Sequence, residues 1–359
     1  MLKIGYNNSN QHCGNKSHLE KPDRLNYVIK ELHKKQISQE LFLLPESYLP
    51  VNKNQCLQLI SSVHTDKYIN SLIDPRFNII TCRNCQGELS NKSMISFYDF
   101  INMQNTCNLC NEKLTFDNIL SYVDSDTYVT PYTFDIVLEG ISVLKRLIDE
   151  IKEKQILYGF GLIRPPGHHC CNKGYGFCIV NNAVIATRYA QKNGFNKVLI
   201  LDIDFHHGDG TQDLITDKNL IYKQIKNTHL ISIHGYGPNI YPGTGSELES
   251  SENVLNIPIN ITVEPKSRLY ANDNYYQEII INKVIPYINN FDPDFIIISL
   301  GMDAHKNDSL EGLNITDKTY IMITETLKQY NKPLLFITEG GYNPIVINSV
   351  VNKMIDVLL

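Results

Sequence analysis

The sequence predicts a three-layer α/β fold, a mostly parallel β-sheet flanked by helices, from three observations. Short apolar, β-branched runs recur at 198–203, 230–233, 254–259, 295–300 and 334–338, the pattern of strands buried on both faces. Helical patterns lie between such runs. A polar, turn-rich block follows strand after strand, as expected where loops at the carboxyl ends of a doubly wound sheet build a site.

Two helices are legible. Residues 134–153 carry Ile136, Val137, Ile141, Leu144, Leu147, Ile148 and Ile151 at helical spacing, and 181–193 ends at Gly194. The blocks RPPGHH, DFHHGDG, HGYGPNIYPGTGS, GMDAHKNDSLEG and EGGYN are the five loops expected to converge. Between Ile73 and Asp124 no strong strand or long helix is evident, and that cysteine-bearing stretch reads as an insertion, set at 75–120 within a catalytic domain of 1–359.

With 359 residues, 42% hydrophobic and 20% charged, the chain can bury a sizeable core, which excludes a disordered protein. Its formal net charge of -5 supplies no global positive field, so direct nucleic-acid binding is not expected. No run of eighteen apolar residues occurs and no signal-peptide core is visible at the start. A membrane role is therefore not expected. The expected compartment is the cytoplasm, with nuclear entry left to an importing partner.

The apolar strand at 198 runs into Asp202, Asp204 and His206, spaced i, i+2 and i+4, so at a strand end the three share one face. With His207 and Asp209 they make five ionisable groups within eight residues, a costly placement without a metal or chemistry to use it. A second strand end supplies Asp303 and a third His168 and His169. A catalytic zinc keeps three protein ligands and an open position, and Asp204, His206 and Asp303 fill those places. His168 and His169 are then free for proton transfer, with Asp202 and Asp209 to orient them. Tyr342, preceded by two glycines, is the candidate oxyanion donor.

Taken in order, HLEKPDRL (18–25), VHTDKY (63–68), DTY (126–128), RPPGHH (164–169), GYGFC (174–178), DIDFHHGDGTQ (202–212), GMDA (301–304) and EGGYN (339–343) resemble the zinc-dependent histone deacetylases and acetylpolyamine amidohydrolases, class II in wording, on the arginase/deacetylase fold. The resemblance implies His169 as general base and acid paired with Asp209, His168 as its electrostatic partner paired with Asp202, and Tyr342 on the acetyl carbonyl. It implies substrate-tunnel walls at Gly176, Phe177 and Tyr241, with Leu310 at the rim, and a potassium ion using Asp202 and Ser232. Ser309 and Glu311 depart from the family's usual Pro and Gly beside that rim. An apolar Leu310 tilts the expectation towards an acetylated peptide or protein substrate; Glu311 keeps acetylpolyamine open. A catalytically slow scaffold is the alternative from another class. His305, near Asp303, is a weaker ligand candidate.

Cys82-x2-Cys85 and Cys107-x2-Cys110, four of nine cysteines, have the two-knuckle spacing of a structural zinc site resembling a zinc ribbon. The segment between them is too small for a core of its own, and a closed metal site supplies the missing stability. A bare staple and a knob for protein or nucleic-acid contact are equally compatible with the spacing. Cys170, Cys171 and Cys178 are expected in core or loops, not as ligands.

Overall fold

In a computed structural model, successive residues of the central strands point to opposite faces of one sheet, so Val198 and Ile200 belong to one apolar layer and Leu199 and Leu201 to the other. The structure describes residues 2–35, 39–43, 51–104, 106–216, 225–261, 268–310 and 312–359. Glu311 lies outside them.

The large sheet has seven strands: β1 (Leu2–Tyr6), β6 (Tyr158–Leu162), β7 (Val198–Asp202), β8 (Thr228–Tyr236), β9 (Val254–Asn260), β10 (Phe295–Leu300) and β11 (Leu334–Thr338). They pair in the order β1-β6-β11-β10-β7-β8-β9, all parallel. Their near-continuous apolar sequence follows from burial on both faces. One layer contains α5 (Thr133–Lys152) and α6 (Asn182–Lys192); the other contains α1 (Asp23–Lys34), α7 (Asp317–Lys328) and α8 (Pro344–Leu358). The expected three-layer architecture is the observed one. The Asn181 side chain caps α6 by accepting from Val184 N, and Gly194, at φ +99°, ends the turn in the left-handed region as the sequence predicted.

The insertion holds more regular structure than its sequence suggested. After α2 (Lys53–Ser61) and α3 (Asp66–Ile73) come β2 (Arg76–Cys82), β3 (Glu88–Ser96), α4 (Phe97–Met103), β4 (Ile119–Tyr122) and β5 (Tyr128–Val129), and the strands form an antiparallel sheet β3-β2-β4-β5. Alternation is masked in β2 because its pairing with β3 shifts register between Phe77 and Ile79, a bulge that breaks the period of two. Nor is its apolar content a separate core. Phe77, Ile80, Leu89, Phe97 and Phe100 join the same buried cluster as α5 and α6.

The two CxxC turns meet at one end of this small sheet, with Cys82 Sγ 3.8 Å from Cys110 Sγ and Cys85 Sγ 3.6 Å from Cys107 Sγ. All four sulfurs lie within 4.8 Å of one another. Among the described residues no helix is long and apolar enough to cross a membrane.

Candidate active site

The carboxyl ends of β6, β7, β8, β10 and β11 open on one side of the sheet, and each contributes a predicted residue. Where the chain leaves β7 it is folded around its own carboxylates: Asp202 Oδ1 accepts from Asp204 N (3.0 Å) and Asp204 Oδ1 from His206 N (2.9 Å). From β10, Asp303 Oδ1 accepts from Phe205 N (2.9 Å) and its Oδ2 lies 3.0 Å from His206 Nδ1. From β11, Gly340 N donates to Asp204 Oδ2 (2.7 Å). A Cβ at position 340 would stand 2.5 Å from carboxylate oxygens of both Asp204 and Asp303, so only glycine fits there. The ligand atoms of Asp204, His206 and Asp303 lie within 4.8 Å of one another in a buried setting.

Two buried carboxylates this close repel. Burial and the charge of Asp204 push Asp303 up to about 7 despite the pull of His206. Burial pulls the His206 imidazole down, but Asp204 and Asp303 more than offset it and raise it to about 10. A divalent cation among the three groups would relieve the repulsion in place of that proton, and two carboxylates with one imidazole suit such a cation.

Two His–Asp pairs stand beside this cluster. His168 Nδ1 is 3.0 Å from Asp202 Oδ2, and its Nε2 is 3.7 Å from Asp204 Oδ1. Burial lowers His168, yet the charges of Asp204 and Asp202 outweigh it and hold the ring protonated. His169 Nδ1 is 2.7 Å from Asp209 Oδ1. Burial first, and then the charge of His168, lower His169 to about 4 against the pull of Asp209. The two neighbouring imidazoles, with ring centroids 4.1 Å apart, thus differ in charge at neutral pH.

Tyr342 is buried, and burial holds its hydroxyl well above the ordinary tyrosine pKa, so it remains a donor. Its backbone is fixed by Asp308, whose Oδ2 accepts from Tyr342 N (2.7 Å) and Asn343 N (3.1 Å). Phe177 stands 5.9 Å from the Tyr342 ring, edge to face, at a left-handed φ of +69° for which its amide bond to Thr127 Oγ1 (2.9 Å) compensates. Tyr241 packs edge-on against His169 at 5.0 Å. Gly176 admits both rings: a Cβ there would lie 2.6 Å from His169 and 2.9 Å from the Tyr241 hydroxyl. Leu310 is partly exposed on the loop after Asp303, its amide on Asp308, beside Tyr342. Ser232 pairs with Asp202 across β7 and β8, and its hydroxyl lies 2.8 Å from His234 Nδ1. His305 turns away from the cluster to Asp317 (3.2 Å), and Cys170 and Cys178 are buried thiols.

Several residues without a predicted role belong to this assembly. Tyr175 donates its hydroxyl to Asp209 Oδ2. Glu339, buried, accepts from Gly167 N (2.6 Å) and His168 N (3.2 Å) and comes within ligand distance of His168 and Cys178. Glu20 is enclosed by Arg24 and Arg164, with both guanidinium arms of Arg164 at 2.5 Å, and by the Tyr128 hydroxyl (2.8 Å). Arg24 also donates to the carbonyls of Glu339 and Gly341, which lead into Tyr342. Glu20, Arg24, Arg164 and Tyr175 stood in motif blocks, but a residue's place in a motif does not reveal its partner.

A family model described as "Histone deacetylase domain" matches residues 18–358. Histone deacetylase 15 of Arabidopsis thaliana is 36% identical over 250 residues, 67% of this chain and 43% of that protein, so the match spans less than half of that relative. A protein named "Probable deacetylase" from Methanothermobacter thermautotrophicus is 33% identical over 227 residues, 62% of this chain and 64% of its own. The crystal structure of the HDA15 HD domain superposes with a TM-score of 0.76 at 28% identity, covering 99% of this chain and 87% of that one.

Proposed function

This chain belongs to the histone deacetylase family, and from that premise we propose that it hydrolyses the side-chain amides of acetylated lysines in histone or other proteins. The observation that carries this reading is the convergence of Asp204, His206 and Asp303 beside the two pairs His168–Asp202 and His169–Asp209.

In this reading Asp204, His206 and Asp303 would hold a zinc ion, which would supply Lewis acidity towards the amide carbonyl and a water. His169, neutral at physiological pH, takes the proton of the attacking water and delivers one to the departing amine. His168 stays cationic and steadies the negative charge that develops. The Tyr342 hydroxyl donates to the carbonyl oxygen. Phe177 and Tyr241 grip the aliphatic stem, which is uncharged once acetylated and is desolvated at little cost. Asp202 with Ser232 is the proposed potassium position, and the four cysteines are assigned a structural zinc in a module at 75–120.

Acetylpolyamine is the second reading, favoured by Asp124 and Asp126, whose charges add to burial, Asp209 and Cys178 in raising the Tyr241 hydroxyl. A side-by-side assay of an acetyl-lysine peptide and acetylated spermidine separates the two. Hydroxamate-sensitive deacetylation that disappears in Tyr342→Phe with zinc retained supports the enzyme; absence of turnover by the metal-replete parent leaves only the scaffold.

A further inference from the structure

A cavity of about 1500 Å³ runs between the cysteine module and the catalytic body, with α3 and the loop at 172–174 on one wall and β2 and β4 on the other. It is larger than the roughly 300–1,000 Å³ typical of small-molecule pockets. Two loops that line it lead on to the catalytic entrance. Asp124 lines the cavity and also acts electrostatically on Tyr241, and Gly174, another lining residue, directly precedes Tyr175–Phe177. A Cβ on Gly174 would touch Val123 at 3.0 Å, so the two loops pack together at the junction.

The lining is mixed. Ile73, Ile79 and Met94 expose apolar surface, while Lys67, Arg83 and Lys173 line the cavity with no carboxylate partner among the described residues. Asp74, Glu88, Asp124 and Asp135 line it as well, so the cleft carries both signs, and apolar side chains interleaved with charges of both signs over such a volume suit an extended polypeptide of mixed charge.

We propose that this cleft is a binding subsite for the polypeptide that flanks the acyl-lysine, so that the module selects protein substrates through contacts remote from the reacting amide. The proposal rests on the deacetylase reading for the identity of the bound chain, and its test separates the two.

Asn78 on β2 and Ser71 on α3 are exposed cleft residues outside the catalytic machinery. The variants Asn78→Trp and Ser71→Trp fill the cleft from opposite walls. The probes are a blocked single acetyl-lysine amide and a fluorescein-labelled, acetyl-lysine-centred peptide of mixed charge, about fifteen residues and roughly 50 Å when extended. Each variant is expected to raise KM and Kd for the peptide about tenfold, leaving its kcat and all constants for the single amide unchanged. Peptide affinity equal to the parent's in both variants overturns the proposal, as does an equal loss on both substrates. If the parent hydrolyses neither substrate the deacetylase reading falls, and peptide anisotropy still decides whether the cleft binds a polypeptide.

Discussion

Tyr175 donates its hydroxyl to Asp209 through the carboxylate oxygen that His169 does not use, which links a residue of the tunnel-wall loop to the proposed general base. Asp209 is held below its ordinary value because His169 and Tyr175 together outweigh the effect of burial. In Tyr175→Phe the carboxylate loses one donor and attracts the His169 proton more strongly. The His169 pKa then rises from about 4, and because the base works unprotonated, the acid limb of kcat/KM moves to higher pH. We expect about a tenfold loss near that limb and a smaller one at pH 8. An unmoved limb in the pH–rate profile would separate Tyr175 from the acid–base chain.

Gly340→Ala places a methyl group 2.5 Å from carboxylate oxygens of Asp204 and Asp303. The carboxylates must part, and the expected result is loss of the proposed catalytic metal with the cysteine site still loaded. Elemental analysis should fall from two zinc equivalents to one, with deacetylation at background. Retention of both equivalents would contradict the ligand assignment.

Glu20→Gln leaves two buried guanidinium groups facing a neutral amide. Breaking a buried pair in this way costs about 3–5 kcal/mol, measurable as a lower denaturation midpoint at pH 7. The pH dependence has a definite sign. Burial raises Glu20, but Arg164 more than offsets it and holds the carboxyl far below its ordinary 4.5. The stabilisation is therefore complete above about pH 4.5 and is lost progressively as the pH falls towards the folded-state value. The difference between parent and variant should narrow on acidification, and a constant difference would rule out Glu20 as its source.

Cys107→Ser removes one ligand of the proposed structural zinc. Since Phe77, Ile80 and Phe100 belong to the main buried cluster, the body should stay folded while the metal-tied end opens. Hydrogen exchange across 76–104 should accelerate by at least about tenfold, with one zinc equivalent lost. Unchanged exchange would show that packing alone holds the module.

The central sheet was readable because strands buried on both faces must be apolar throughout: β7, β8, β9, β10 and β11 coincide with the five runs. The long helix, expected at 134–153, is Thr133–Lys152, and the second, expected at 181–193, is Asn182–Lys192. Asp204, His206 and Asp303 were legible as a group because few arrangements other than a site place so many ionisable residues after apolar strands. Other features depended on tertiary contact. The bulge in β2 concealed a strand, and Tyr175 reads as an ordinary loop aromatic until the fold brings Asp209 to it. The ring around Glu20 gathers Arg24 from α1, Arg164 from the loop after β6 and Tyr128 from β5, a closure that no local pattern encodes.

The pairing of β4 with β5 bears on any attempt to shorten the protein. Excising residues 75–120 would remove Ile119 and Leu120 from β4 and leave only Ser121 and Tyr122 beside Val129 and Tyr128, whose hydroxyl supports Glu20. A shortened version has to spare Ile119–Tyr122 and bridge from the end of α3 directly to it.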